Sequence, residues 1–540
     1  RFIAGTASGT SLTISSSTID ANPGLQIYRV DFSTTTAITA RNVTQNDGTP
    51  SSYWWFRNSV GNIDGEAFDT DTGDPGSIRW DDSSLSIVVS GTVYSDDGVT
   101  TASSPTCDGS TPNVKVVINS GTTATSTWCS AVDGSYSIAV SGIIGDVILT
   151  TYLDTNGGER GTVITKTPTA NISNHNIYVN RIITKHQDIL PLTISDMTAY
   201  DFGSDNDIRY DAATGTINTL TVFSGNELHI ASSTTFAPGG DIMIYGNASS
   251  TSFDGSLHID DNATFTGSAT STYTLAGSFT MDTGATFTAA STTVIMNATT
   301  TGKTITTIAG QEISFNNLQF TGVGGGWNIN GNTRALGNIA VSTGTVSGTA
   351  NITVVNGSLS GNGLLSMGSG TTTVGNTNTL GGTTAWTFAN LVLGNGTVVG
   401  TTTPGSNATT TVSGKLTIST AHFLDAGSSL WNLSGTGNVF VENGTFLEDT
   451  STLRYSGTGA TNILSTTYYN LDLKAFGGSP TYTATGLGVV VTNDMTVGGA
   501  TTTTVTFDTS DPALDVNGNV TIDSTGTFVG SASAAFTVAG

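Results

Sequence analysis

The chain has 540 residues, with 16 basic and 40 acidic side chains and a formal net charge of −24. It holds 101 Thr, 59 Ser and 67 Gly, yet charged residues are only 10%, against about 25% in ordinary soluble proteins. This excludes long solvent-exposed helices, which need Lys, Glu and Arg outside. The 36% hydrophobic and 8% aromatic content likewise argues against a disordered chain. An acidic chain repels a phosphate backbone, so no nucleic-acid partner is expected. No run approaches the ~18 apolar residues of a membrane span. Thr and Ser interleaved with Val, Ile and Phe is strand composition. The fold class expected is all-β: N-terminal β-sandwich modules followed by a long right-handed parallel β-helix.

Residues 1–85 read as a small sandwich. Strand-like runs at 12–14, 25–32 and 37–43 lead to the aromatic cluster Tyr53, Trp54, Trp55 and Phe56. Four consecutive rings suit either a platform for sugars or a contact with a neighbouring domain or subunit. An acidic loop follows, in which Asp69, Asp71 and Asp74 alternate around Gly73. Closely spaced carboxylates on a turn suit Ca²⁺, the one cofactor the sequence points to; a solvated acidic turn is the alternative. The loop departs from an EF-hand, since Gly73 stands where the third ligand belongs and Trp80 where the last one does.

Residues 86–185 read as a second sandwich, from the alternation ending at Tyr94, the strand Val114–Ile118 and the turn Asp133-Gly134. Gly91-Thr92-Val93-Tyr94, the Val114–Ile118 strand and Asp133-Gly134-Ser135-Tyr136 resemble, in that order, a carboxypeptidase-regulatory-like module of immunoglobulin type. The resemblance covers about 100 residues and implies a spacer in a surface protein. Cys107 and Cys129 bracket one strand, and in a chain that reads as secreted they are expected to pair in a disulfide. The run Asp154 to Glu159 and the trio Asp205, Asp207 and Asp211 are weaker acidic candidates for a cation.

From residue 186 to 540 the sequence is repetitive. A unit of Gly or Asn, a short apolar-polar-apolar strand, a turn and Thr-Phe recurs. It is seen at Asn226 to Phe236, Gly255 to Phe265, Gly277 to Phe287, Gly437 to Phe446 and Gly518 to Phe528. Phe265 and Phe287 are one unit apart, which reads as one coil of a parallel solenoid with alternate side chains inside and Thr outside. A longer period matches Phe315-Asn316-Asn317-Leu318, Phe388-Ala389-Asn390-Leu391 and Tyr469-Asn470-Leu471, each three to four coils on. About 16 coils would make a rod of roughly 80 Å. The strand-like pattern running to Gly540 leads us to expect that the repeat continues beyond it. Thr301-Gly302-Lys303-Thr304-Ile305, Asn317-Leu318 and Gly325-Gly326-Trp327 resemble repeats of large secreted bacterial surface proteins. These are distantly similar to filamentous-haemagglutinin and autotransporter rods. That resemblance implies a structural surface role and carries over no catalytic residue.

The chain shows no Gly-x-Ser-x-Gly or His-Glu-x-x-His, and Asn297 stands where a phosphate loop ending in Gly302-Lys303-Thr304 needs its first glycine. The basic groups of the repeat (Arg209, Lys303, Arg334, Lys415, Arg454, Lys474) are far apart, so a polysaccharide-cleaving cleft is not indicated and no enzyme is expected. His229 and His258 hold equivalent places in two repeats and are expected as solvent-facing or stacked positions, a poor metal site without a carboxylate. The function expected is a structural subunit of an extracellular filament or cell-surface stalk, with copies of itself as head-to-tail partners. The alternative is a monomeric adhesin presenting a glycan- or cell-binding tip.

Overall fold

The computed structural model describes residues 85–539 apart from 122–123, 144–146, 155–158, 167–170, 188–189, 247–252, 407, 508–511 and 531–534. It also describes six short strands before residue 80. Nearly every described element is a strand; a four-residue helix, Ile194–Met197, is capped by Thr193 and Asp196. From residue 162 to 538 the chain winds into a parallel β-solenoid of about 16 turns, as the composition and the repeats lead one to expect.

Each coil contributes three strands. Lys303–Thr307, Glu312–Phe315 and Asn317–Phe320 form one coil, and Gly326–Ile329, Asn332–Ala335 and Ile339–Val341 form the next. Each strand of the first pairs in parallel with its counterpart in the second. The longest face runs from Thr162–Lys166 through Arg181–His186 and Glu227–Ile230 to Val520–Ile522. Between register partners on it, the chain advances by between 18 residues (Tyr455 to Leu473) and 46 (Ile182 to Leu228). Phe265 pairs with Phe287 as the repeat predicts.

Period-two alternation fills the interior. Strands such as Thr371–Val374 and Thr452–Tyr455 bury every second residue, and one apolar core runs the length of the solenoid. The Thr-Phe units stack their rings into a column: Phe236, Phe265, Phe287 and Phe315 lie 5.6, 5.4 and 5.6 Å apart in succession. Rings at this spacing add to the burial energy of each side chain. At one corner, side-chain oxygens replace the strand ladder. The Asn338 N–H donates to Asn317 Oδ1 (2.9 Å), that of Ser358 to Asn338 Oδ1 (2.8 Å), and that of Thr379 to Ser358 Oγ (3.0 Å). Gly344 turns another corner at a φ of +74°. A Cβ there would lie 2.7 Å from the Gly325 carbonyl oxygen and 2.9 Å from the Trp327 ring, so only glycine fits.

The longer period is out of phase with the coil. Asn317–Phe320, Asn390–Leu393 and Asn470–Leu473 are each eleven strands apart and lie on three different faces. With three strands to a coil, one long unit is three coils and two thirds.

At the N-terminal end a second core forms. Leu85–Tyr94 pairs antiparallel with Ser135–Ile143 and parallel with Ile177–Tyr178. Its side chains Ile87, Val89 and Val93 belong to the same core as Val114, Val116, Leu149, Leu153, Val163 and Ile183, which face out of the long face. The alternate residues Val117, Ile148, Tyr152, Ile164 and Ile182 face the solenoid core. Ile148–Leu153 and Thr162–Lys166 are therefore buried on both sides. Thr162–Lys166 pairs in parallel with Arg181–His186, which pairs with Glu227–Ile230, so one sheet runs through residue 185. The strands described before residue 80 also pair in parallel. Thr13–Ser15 pairs with Thr39–Arg41, Thr18–Ala21 with Thr44–Asp47, and Trp54–Trp55 with Ile78–Arg79. The offsets are those of a coil rather than the antiparallel pairing of a sandwich.

Cys107 and Cys129 are joined in a buried disulfide in this second core. Replacing both by Ser is expected to cost about 3 kcal/mol through loop-closure entropy. Hydrogen exchange should accelerate in 85–185 and stay unchanged from Lys303 onward, because coils contact only their neighbours. Asn338→Ala is expected to cost about 1 kcal/mol by leaving the Ser358 N–H without its acceptor, seen as faster exchange of that amide.

Candidate functional site

The outer side of the first coils carries an ionisable cluster. In Glu227–Ile230 the apolar Leu228 and Ile230 point into the solenoid, which turns Glu227 and His229 outward. His258, from the next coil, is the register partner of His229, and the two rings lie 4.6 Å apart. The second core reaches over them: the Tyr178 ring meets His229 edge-on at 5.4 Å, and Glu227 and His229 are buried.

Glu227 is the hub. Its Oε1 lies 3.4 Å from His229 Nδ1, 3.6 Å from His258 Nδ1 and 3.2 Å from Arg181 Nε. Arg181 also donates to the Val179 carbonyl oxygen and sits 4.7 Å over the Phe253 ring. On the far side of the imidazoles, His258 Nε2 is 2.8 Å from Asp282 Oδ2, and His229 Nε2 is 3.5 Å from Asp260 Oδ2. Burial works against the Glu227 carboxylate, but contacts with His229 and His258 hold it down at about 2. Burial also opposes charge on His258, yet Asp282 and Glu227 push it up to about 10. One donor atom from each of Glu227, His229 and His258 lies within 4.8 Å of the other two, and Asp260, Asp261 and Asp282 form a second such group beside them.

A polar recess of about 220 Å³ opens nearby, lined by Arg160, Asn180, Arg209, Ser224, Gly225 and Asn226. Arg209 lies 5.3 Å over the Phe223 ring. Burial, then the like charge of Arg160, holds it below the ordinary arginine value.

The residues singled out from sequence are distributed differently. Asp69, Asp71, Asp74, Tyr53 and Phe56 lie outside the described residues; Trp54 and Trp55 are described only as backbone of a strand. Asp205 accepts from the Tyr152 hydroxyl (2.7 Å) and from the Asp207 N–H (2.9 Å), Asp207 pairs with Arg160 (2.9 Å), and Asp211 is exposed. Asp154 pairs with Lys115, and Glu159 accepts from the Thr106 hydroxyl. His229 and His258 stack, as their equivalent places lead one to expect, but they are covered rather than solvent-facing. The carboxylate thought missing is Glu227. It stands two residues before His229, on the same side of the strand, and period-two reading would have found it.

Compared with protein-family models, curated proteins and solved structures, the chain matches none. No helix among the described residues is long and apolar enough to cross a membrane.

A separate histidine, His175, is fully buried beside the second core. Its Nε2 lies 3.1 Å from Thr151 Oγ1 and its Nδ1 has no partner. Burial, reinforced by the charge of Lys185, holds its pKa well below the usual histidine value. The unfolded chain therefore binds a proton that the folded chain refuses. Stability is full above about pH 6.5 and falls as pH drops below it, by about 1.4 kcal/mol per pH unit. His175→Gln is expected to flatten this slope in denaturant midpoints compared between about pH 7 and pH 5; equal slopes would contradict the assignment.

Proposed function

We propose that the chain is a structural subunit of an extracellular filament or cell-surface stalk, assembling with copies of itself through head-to-tail β-rich contacts. The observation that carries this reading is the unbroken core and strand ladder over about 16 coils, which is the construction of a rod. Strand addition is the contact such a rod offers a second copy, because a coil's backbone groups pair with whatever strand lies above and below. A head-to-tail contact is not two-fold, so it propagates rather than closes. The buried disulfide supports an oxidising, extracytoplasmic setting, and the resemblance of the repeats to bacterial surface rods supports the same placement.

A second reading, a monomeric adhesin, is favoured by the recess between Arg160 and Arg209. Paired guanidinium groups with Asn180 and Asn226 suit a carboxylate- or sulfate-bearing glycan. Electron microscopy over rising protein concentration separates the two. Filaments with an axial repeat near the rod length, roughly 80 Å for the coils alone, are expected. Their loss in a Ca²⁺ chelator would add a role for the acidic loop at Asp69, Asp71 and Asp74. Isolated rods at every concentration overturn the filament in favour of the adhesin.

A further inference from the structure

We propose that Glu227, His229 and His258 bind one divalent transition-metal ion of the Zn²⁺ class, tying two coils of the solenoid together beneath the second core. The inference is independent of whether the rod polymerises.

His258 Nε2 lies at hydrogen-bond distance from Asp282 and so carries its proton on that side. The carboxylate facing His229 Nε2 is Asp260. A carboxylate behind an imidazole is the arrangement that orients metal-binding histidines; His258 has it, whereas His229 Nε2, buried and 3.5 Å from Asp260, has no hydrogen-bond partner. A cation bound here displaces the proton from Nδ1 of each ring, so that both nitrogens turn a lone pair towards Glu227 Oε1. Three acceptors then converge on one another, which is repulsive unless a cation lies among them.

The spacing identifies the cation. Separations of 3.4 and 3.6 Å from Glu227 Oε1 to the two Nδ1 atoms are long for hydrogen bonds. They match the edge, about 3.4 Å, of a tetrahedron whose centre lies about 2.1 Å from nitrogen and oxygen ligands. Without a metal, protons on the two Nδ1 atoms hold the site together, and His229 Nε2 is then left buried without a hydrogen-bond partner. The surrounding charge agrees. Glu227, Asp260, Asp261 and Asp282 face Arg181 and, across a small cavity, Lys185, an excess of two negative charges with neutral imidazoles. Nitrogen-rich donors without sulfur favour Zn²⁺, Co²⁺ or Ni²⁺ over Ca²⁺. The site has a mouth: Asp260, Asp261 and Asp282 cluster beside the partly exposed His258, Asp261 exposed and the other two half-buried.

The test uses the full chain, freed of metal by chelator and dialysis, then titrated with Zn²⁺ calorimetrically and with Co²⁺ in visible absorption. One ion per chain is expected, at micromolar affinity or tighter, with the Co²⁺ band of a four-coordinate nitrogen and oxygen site. His258→Ala and Glu227→Gln should each weaken binding by about 100-fold or more, and Asp282→Asn, which leaves all three ligands, by about tenfold. Circular dichroism of the metal-free variants reports folding; should the ligand variants misfold, the Asp282→Asn shift carries the decision. No uptake of Zn²⁺ by the wild type overturns the proposal in favour of a protonated histidine pair. Unchanged affinity in the folded variants overturns it in favour of adventitious surface binding.

Discussion

In-register parallel stacking governs this molecule. Each side chain on a face meets the side chain at the same place one coil above and one coil below, about 4.8 Å away. A residue is tolerated there only if such a neighbour can sit beside it. Phe stacks on Phe, Thr ladders with Thr, and Asn accepts from the next coil's backbone, so these types repeat. Like charges at that distance repel, which explains why a chain of this size has so few. The ion pairs on the faces obey the same rule. Arg454 is the register partner of Asp472, Arg334 lies across from Ser314 next to Glu312, and Arg181 is partnered by Glu227. His229 on His258 is one place where two basic groups stack, and carboxylates surround it.

The second core shows how the solenoid meets what precedes it. Ile148–Leu153 and Thr162–Lys166 send alternate side chains into two cores, so the N-terminal unit and the rod share strands instead of being joined by a linker. Backbone hydrogen bonds run from Val114–Ile118 into the coils without interruption. A pull on one part reaches the other through the sheet, and the Cys107–Cys129 bridge braces the side of that sheet which the rod does not support.

The coil was legible in the sequence because alternation and the Thr-Phe units survive wherever one strand face is wet. Phe265 and Phe287 are the clearest instance. Legibility failed where both faces are covered. In Thr162–Lys166 and Arg181–His186 the polar half of the alternation is gone, so these strands read as sandwich strands rather than as the opening of the solenoid. The functional cluster failed for a related reason. Glu227 and His229 look like solvent-side residues of an ordinary repeat, and only the neighbouring unit, distant in sequence, covers them. The equivalence of His229 and His258 was visible; the carboxylates of Asp260 and Asp282 sit at turns whose orientation no local pattern specifies.

The eleven-strand period has a consequence for how such a rod is read from outside. Because each long unit ends a third of a turn out of step, its Asn-Leu segment reappears on a new face each time, tracing a spiral staircase up the shaft. The three walls are thus interchangeable as environments, and the chain can lengthen by copying a block of strands that does not close a whole number of coils. An object meeting the rod finds the outward Asn of one such segment on each face, followed by Gln319, Val392 or Asp472 according to the side it meets.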